Sequence, residues 1–223
     1  MMSSSTNNKF RAVLFDLDGT LLDTIDDLAD SMNAVLARHS YPTHSVELYK
    51  TFVGDGVEVL ALRALPKDEC NEQTVREVVM EMRDEYEKRW NSKTKPYPGV
   101  SELLDGLERK EIRITILSNK ADDYTKKIVE DSFSGRKFNV VRGAKPGTPK
   151  KPDPTSALQI AKDIEIDPKD FLYLGDTNTD MTTALRAGMY PVGALWGFRT
   201  SEELIISGAK KLIAKPQDLL NLL

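Results

Sequence analysis

Cysteine is almost missing from this chain of 223 residues: Cys70 stands alone. No internal disulfide can form, which suits a reducing compartment, and a lone thiol without a partner signature receives no role. Histidine is scarce as well. His39 and His44 are too few for a zinc cluster or a serine-type triad. No apolar run reaches the length needed to cross a bilayer, and Met1 to Lys9 lacks the apolar stretch of a secretory signal, so a cytoplasmic protein is expected. Basic excess is absent too, since 31 Lys and Arg face 35 Asp and Glu for a net charge of -4. That balance argues against nucleic acid and anionic membrane as partners and leaves a small ligand. There is no internal repeat, and the polar run Ser3 to Asn8 reads as a mobile terminus with nothing to bury.

What is present is a change of period along the chain. Ala12-Val13-Leu14-Phe15 is a continuous apolar run, the pattern of a strand covered on both faces of a parallel sheet. From Thr24, a candidate N-cap, the period becomes helical, with Ile25, Leu28, Ala29, Met32, Val35 and Leu36 on one stripe. Further helices follow to Phe52, over Val57 to Leu65, and after the capping candidate Asn71, where Val75, Val78, Val79, Met82, Tyr86 and Trp90 recur at helical spacing. Lys95-Pro96-Tyr97-Pro98-Gly99 reads as a linker. Beyond it helix and strand alternate: helix Val100 to Arg109, strand Arg113 to Leu117, helix Asp122 to Glu130, a weaker strand near Val140, helix Thr155 to Asp163, strand Phe171 to Leu174, helix Asp180 to Ala187 and strand Pro191 to Leu195. The alternation predicts an α/β fold with a doubly wound, Rossmann-like parallel sheet. Residues 1–21 and 96–223 form its core, and 22–95 an inserted helical cap.

Polar residues gather where strands should end, the place at which open parallel sheets collect their functional groups. Asp16 and Asp18 follow the first strand two apart, which in extended chain puts both carboxylates on one side. Ser118 and Asn119 follow Leu117, Asp176 follows Gly175 with Asp180 one helical turn on, and Lys150-Lys151-Pro152-Asp153-Pro154 lies between them. Carboxylates so gathered repel unless a cation sits among them, and hard oxygen ligands with room for phosphate and water suit Mg2+. With Asp18 protonated by its acidic surroundings, Asp16, Asp176 and Asp180 balance Mg2+ and Lys151, and a phosphate dianion can enter. Phosphoryl transfer then assigns Asp16 as nucleophile and Asp18 as acid and later base. Ser118, Asn119 and Lys151 hold phosphate, and Asp176 holds the metal with Asp180 beside or behind it. Plainer readings stay open for several of these residues. Ser118 is also a common turn residue, Lys151 could belong to a surface basic pair, Asp180 could only cap a helix, and Lys120 could face phosphate or solvent. Gly54-Asp55-Gly56 reads equally as an ordinary loop or as a substrate loop of the cap.

Asp16-Leu17-Asp18-Gly19-Thr20, Ser118, Lys151 and Gly175-Asp176-Thr177-Asn178-Thr179-Asp180 together resemble the haloacid dehalogenase-like hydrolase superfamily over nearly the whole chain. Softer signals resemble its phosphoglycolate phosphatases: Asp27-Leu28-Ala29 with Asn33, Val53-Gly54-Asp55-Gly56, Tyr97-Pro98-Gly99-Val100 and Trp196-Gly197-Phe198. The resemblance implies that Asp16 and Asp176 ligate magnesium by side chain and Asp18 by its backbone carbonyl. It also implies a mobile helical cap and a small phosphorylated metabolite as substrate, 2-phosphoglycolate first. Lys145-Pro146 competes for the third motif, but Lys151 has the family's Lys-Pro-Asp-Pro context. Pyrophosphate and sugar phosphates stand as other substrates, and a phosphoacceptor switch or an inactive binding protein as other classes. Monomer and homodimer are both left open.

Overall fold

The computed structural model describes residues 9–223, so the run Ser3 to Asn8, expected to be mobile, lies outside the described residues. β1 (Ala12–Phe15) is buried along its whole length. Strand side chains alternate between faces, and here Val13 and Phe15 join one apolar cluster while Ala12 and Leu14 join another. The strand is covered on both sides, as its unbroken apolar run predicts.

After β1 come a two-residue strand, β2 (Leu22–Asp23), then helices α1 (Ile25–Arg38), α2 (Val46–Phe52), α3 (Val57–Ala64) and α4 (Glu72–Arg89), then β3 (Lys95–Pro96). The stripe read from the sequence is the buried face of α1, and Asn71 caps α4 by accepting from the Thr74 amide. Thr24 precedes α1 but makes no capping bond. β2 and β3 pair antiparallel, Leu22 with Pro96 and Asp23 with Lys95, which ties together the two crossings between helices and sheet. Buried Asp27 tightens the same neck by accepting from the Lys93 and Thr94 amides and the Thr94 hydroxyl at 2.8–3.1 Å. The linker read at Lys95 to Gly99 thus starts as a strand. Two residues including a proline carry no alternating pattern that could reveal it.

The rest alternates: α5 (Val100–Arg109), β4 (Arg113–Ala121), α6 (Asp122–Ser132), β5 (Val140–Ala144), α7 (Thr155–Asp163), β6 (Phe171–Gly175), α8 (Asn178–Arg186), β7 (Tyr190–Ala194), α9 (Ser201–Ile206) and β8 (Lys211–Ile213). One parallel sheet results, in the order β5-β4-β1-β6-β7-β8, with helices on its faces. This is the doubly wound, Rossmann-like fold expected. The chain winds outward from β1 in two directions, through β4 and β5 and then through β6, β7 and β8, and the crevice above such a switch point binds ligands. Register fixes what lines that crevice. Phe15 lies level with Ile116 and with Leu174, so Asp16, Ser118 and Asp176 emerge together from three adjacent strands.

Candidate active site

Asp16, Asp176 and Asp180 are buried, and one oxygen from each lies within 4.8 Å of the others. Asp16 takes the Leu17 amide on Oδ1 at 2.7 Å. Asp176 is held at both oxygens, by the Thr20 hydroxyl at 2.7 Å and by the Phe198 amide at 2.8 Å. Asp180 accepts the Thr177 hydroxyl and amide on Oδ2, which makes it part of the α8 capping box. Its Oδ1 accepts from Lys151 Nζ at 2.7 Å, and the same ammonium lies 2.8 Å from Asp16 Oδ1. Asp180 therefore does both things the sequence left open, capping α8 and facing the cluster. Of the two lysines, Lys151 is the one buried in the cluster, while Lys150 pairs with Glu58 of α3 at 2.6 Å.

The charges strain against one another. Burial, and then the neighbouring Asp180, push the Asp176 carboxyl from 3.8 up to about 7, and the same two causes raise Asp16 well above its ordinary value despite Lys151. Burial by itself would depress the Lys151 ammonium, but Asp16 and Asp180 outweigh it and hold the proton firmly. One lysine does not neutralise three aspartates in a site this dry. An all-oxygen donor set with surplus negative charge fits a hard divalent cation such as Mg2+. Close packing keeps the set in place: a Cβ at Gly19, where φ is +86, would come within 2.4 Å of Asp176 Oδ2, and one at Gly197 within 2.2 Å of Asp176 Cβ.

Above Asp16 and Asp18 opens a cavity of about 760 Å³, walled by Ser118 and Lys120 on the sheet side and by Leu28, Val57, Met82 and Tyr86 on the helical side. Ser118 is buried and its hydroxyl accepts from the Lys120 amide at 3.1 Å. Asn119 is near the site, but its side-chain amide is committed elsewhere. It accepts from the Lys151 amide and donates to the Lys151 and Gly54 carbonyls, at 2.9–3.0 Å. That side chain fixes the backbone of Lys151 and ties down the loop between α2 and α3. In that loop Gly54 and Gly56 line the cavity, whereas Asp55 is spent on Arg63 at 2.7 Å and on Thr179 at 2.9 Å. Asp18 also has a different setting from the one expected. Its Oδ1 accepts from the Lys120 ammonium at 2.5 Å, because β4 runs on past Leu117 and carries Lys120 alongside.

Several contributors have no site role that the sequence assigns. Thr24, read as a helix cap, gives its hydroxyl to Asp18 Oδ1 at 2.7 Å. Tyr86, read as packing, reaches Lys120 with its phenol at 2.8 Å. Trp196-Gly197-Phe198, quoted above as a family signal, does three separate jobs together with Arg199. The indole N–H holds the Thr20 carbonyl at 2.9 Å, the Phe198 amide holds Asp176, and Arg199 donates to the Lys50 and Val53 carbonyls around the C-terminal end of α2. Beside the resemblance, position is a signal, since this segment follows β7, the next strand of the sheet after β6.

Residues 13–194 match the family described as haloacid dehalogenase-like hydrolase. The chain is 30% identical to a phosphoglycolate phosphatase from Aquifex aeolicus, over 96% of each protein, and 32% identical to one from Nitrosospira multiformis, over 87% of each. Among solved structures, a predicted phosphoglycolate phosphatase from Haemophilus somnus superimposes with a TM-score of 0.90 at 26% identity, covering 97% of this chain and 99% of that one. A parallel sheet wound outward from an Asp-bearing central strand, matched over this length, makes the chain a member of the haloacid dehalogenase-like hydrolases. Within that family it is a phosphatase.

Proposed function

We infer that the protein is a magnesium-dependent phosphomonoester hydrolase acting through an aspartyl phosphate on Asp16, with 2-phosphoglycolate as its substrate in the cytoplasm. The observation that carries this reading is the buried triangle of Asp16, Asp176 and Asp180, bridged by Lys151 and opening at Asp16 onto the cavity. The names of the relatives support the choice of ester. Residues 1–21 and 96–223 act as the catalytic core, and 22–95 as the cap over the leaving group.

Asp16 attacks phosphorus in line with the departing ester oxygen, and Asp18 gives that oxygen its proton. Asp18, now a carboxylate, then takes a proton from the water that hydrolyses the aspartyl phosphate. Ser118 and Lys151 hold the equatorial phosphate oxygens, while Asn119 keeps Lys151 aimed. The side chains of Asp16 and Asp176 and the carbonyl of Asp18 would hold Mg2+, with Asp180 behind them on Lys151 and the α8 cap. Bound there, the ion offsets negative charge on the phosphoryl oxygens.

The test is phosphate release from small phosphomonoesters, sugar phosphates and pyrophosphate, with magnesium or chelator, for the wild type and Asp16→Asn. Release should need the metal and should fall by at least roughly 1000-fold in the variant, since the nucleophile itself is removed. Metal-independent release, or full activity in Asp16→Asn, overturns the mechanism. Preference for another ester keeps the mechanism and replaces the substrate, and a long-lived aspartyl phosphate without turnover points to a switch.

A further inference from the structure

Lys120 joins Asp18 to α4 of the helical segment. Its ammonium lies 2.5 Å from Asp18 Oδ1 and 2.8 Å from the phenol oxygen of Tyr86 on α4, and it sits 5.0 Å from the centre of that ring. The lysine is 9% exposed and Asp18 12%, so water does little to weaken the pair. The Thr24 hydroxyl falls on the same oxygen of Asp18 at 2.7 Å. Both donors are thus spent on Oδ1, and among the described residues no donor reaches Oδ2. A carboxyl group so gripped has one oxygen fixed and one free to carry a proton toward the cavity. The grip comes from both sides, from the sheet through β4 and from the helices through Tyr86. Lys120 also donates its own amide to the Ser118 hydroxyl, so its backbone and side chain serve neighbouring parts of the site.

We propose that Lys120 is a positioning residue that aims Asp18 Oδ2 at the departing ester oxygen, and that Tyr86 makes this aim depend on the seating of α4. The inference rests on the reading of Asp18 as the acid. Lys120 itself exchanges no proton and touches no phosphate oxygen. Its loss would misdirect the proton without removing the nucleophile. The effect must therefore track how much the leaving group needs a proton, which a merely structural lysine would not do.

The test compares kcat/KM, which reports the first half-reaction, for the most reactive alkyl phosphate of the screen and for 2,4-dinitrophenyl phosphate, whose phenolate leaves without a proton. Lys120→Met should lose roughly 100-fold on the alkyl ester and under about threefold on the aryl ester, within the usual worth of general acid catalysis. Tyr86→Phe should show a smaller split, about tenfold, and Lys120→Arg should retain more alkyl activity than Lys120→Met. Thermal melts establish that each variant is folded, and should Lys120→Met fail to fold, Tyr86→Phe and Lys120→Arg decide. Equal losses on both esters, or no loss, overturn the role of Lys120. Asp18→Asn separates this from the underlying reading: a split there without one in the Lys120 and Tyr86 variants sinks only the positioning role, whereas no split in Asp18→Asn sinks the acid assignment and the inference with it.

Discussion

At the scale of single residues, Asp176 shows burial and a like charge overruling two hydrogen bonds. Its carboxyl is held by the Thr20 hydroxyl and the Phe198 amide, both of which favour the charged form, yet burial and Asp180 win and lift it from 3.8 to about 7. The sign of the consequence follows from proton counting. Between these values the folded chain binds more proton than the unfolded chain, so this group's contribution to stability is present below about 4 and lost as pH rises through about 7. A cation at the cluster competes with the same proton. Magnesium affinity should therefore climb with pH and level off above about 7, and below it binding should release protons. Calorimetry in buffers of different ionisation enthalpy measures both, and binding with no proton release at pH 6 would contradict the raised Asp176. The acidic motifs that converge here were legible in the sequence because Asp16 and Asp176 sit at strand ends and Asp180 one helical turn beyond. The hydroxyls and amides that hold them were not, since Thr20, Thr24 and the Phe198 amide look like ordinary turn and cap groups until the chain is folded.

At the scale of elements, the alternating half of the chain was read well because its helices and strands are long enough to show their periods. α5 and α7 begin and end where the spacing predicts. α8 starts two residues before Asp180 because Thr177, not a residue nearer Asp180, supplies the capping box. The contacts between the helical segment and the sheet were illegible, as they join residues far apart in sequence. Arg199 is the clearest case. Its guanidinium donates to the Lys50, Thr51 and Val53 carbonyls, groups that an α-helix leaves without partners at its C-terminal end, and pairs with Glu203 at 3.3 Å. Arg199→Ala should free α2 and the Gly54-Asp55-Gly56 loop while sparing β1 and β6. Charge-assisted bonds of this kind are worth about 1.5–3 kcal/mol each, so a rise of at least roughly tenfold in hydrogen exchange is expected for the α2 and loop amides. Exchange measured by mass spectrometry checks it, and an equal rise in the central strands would show instead that Arg199 supports the whole fold.

Across the whole molecule, the sheet and the helical segment share one core. Phe15, Leu17, Leu21 and Leu22 belong to the same buried cluster as Met32, Leu36, Tyr49 and Met82, while the other face of the sheet has its own smaller cluster. The sequence suggested an insertion because the period changes at Thr24 and again near Lys95, but periodicity describes each segment alone and says nothing of what packs between them. Because buried side chains of both parts belong to this one cluster, removing the helices would expose part of it, so the two parts should unfold together. The two tryptophans make this measurable, Trp90 standing just after α4 and Trp196 just after β7. In urea, Trp196→Phe leaves a reporter on the helices and Trp90→Phe leaves one on the sheet. Each variant's fluorescence midpoint should coincide with its own far-ultraviolet circular dichroism midpoint, within about 0.2 M, as a single cooperative transition requires. A helical reporter that melts well before the circular dichroism signal would mean that the segment opens independently. Lys120 would then lose Tyr86 while still holding Asp18, and the acid would be aimed only in molecules whose α4 had returned.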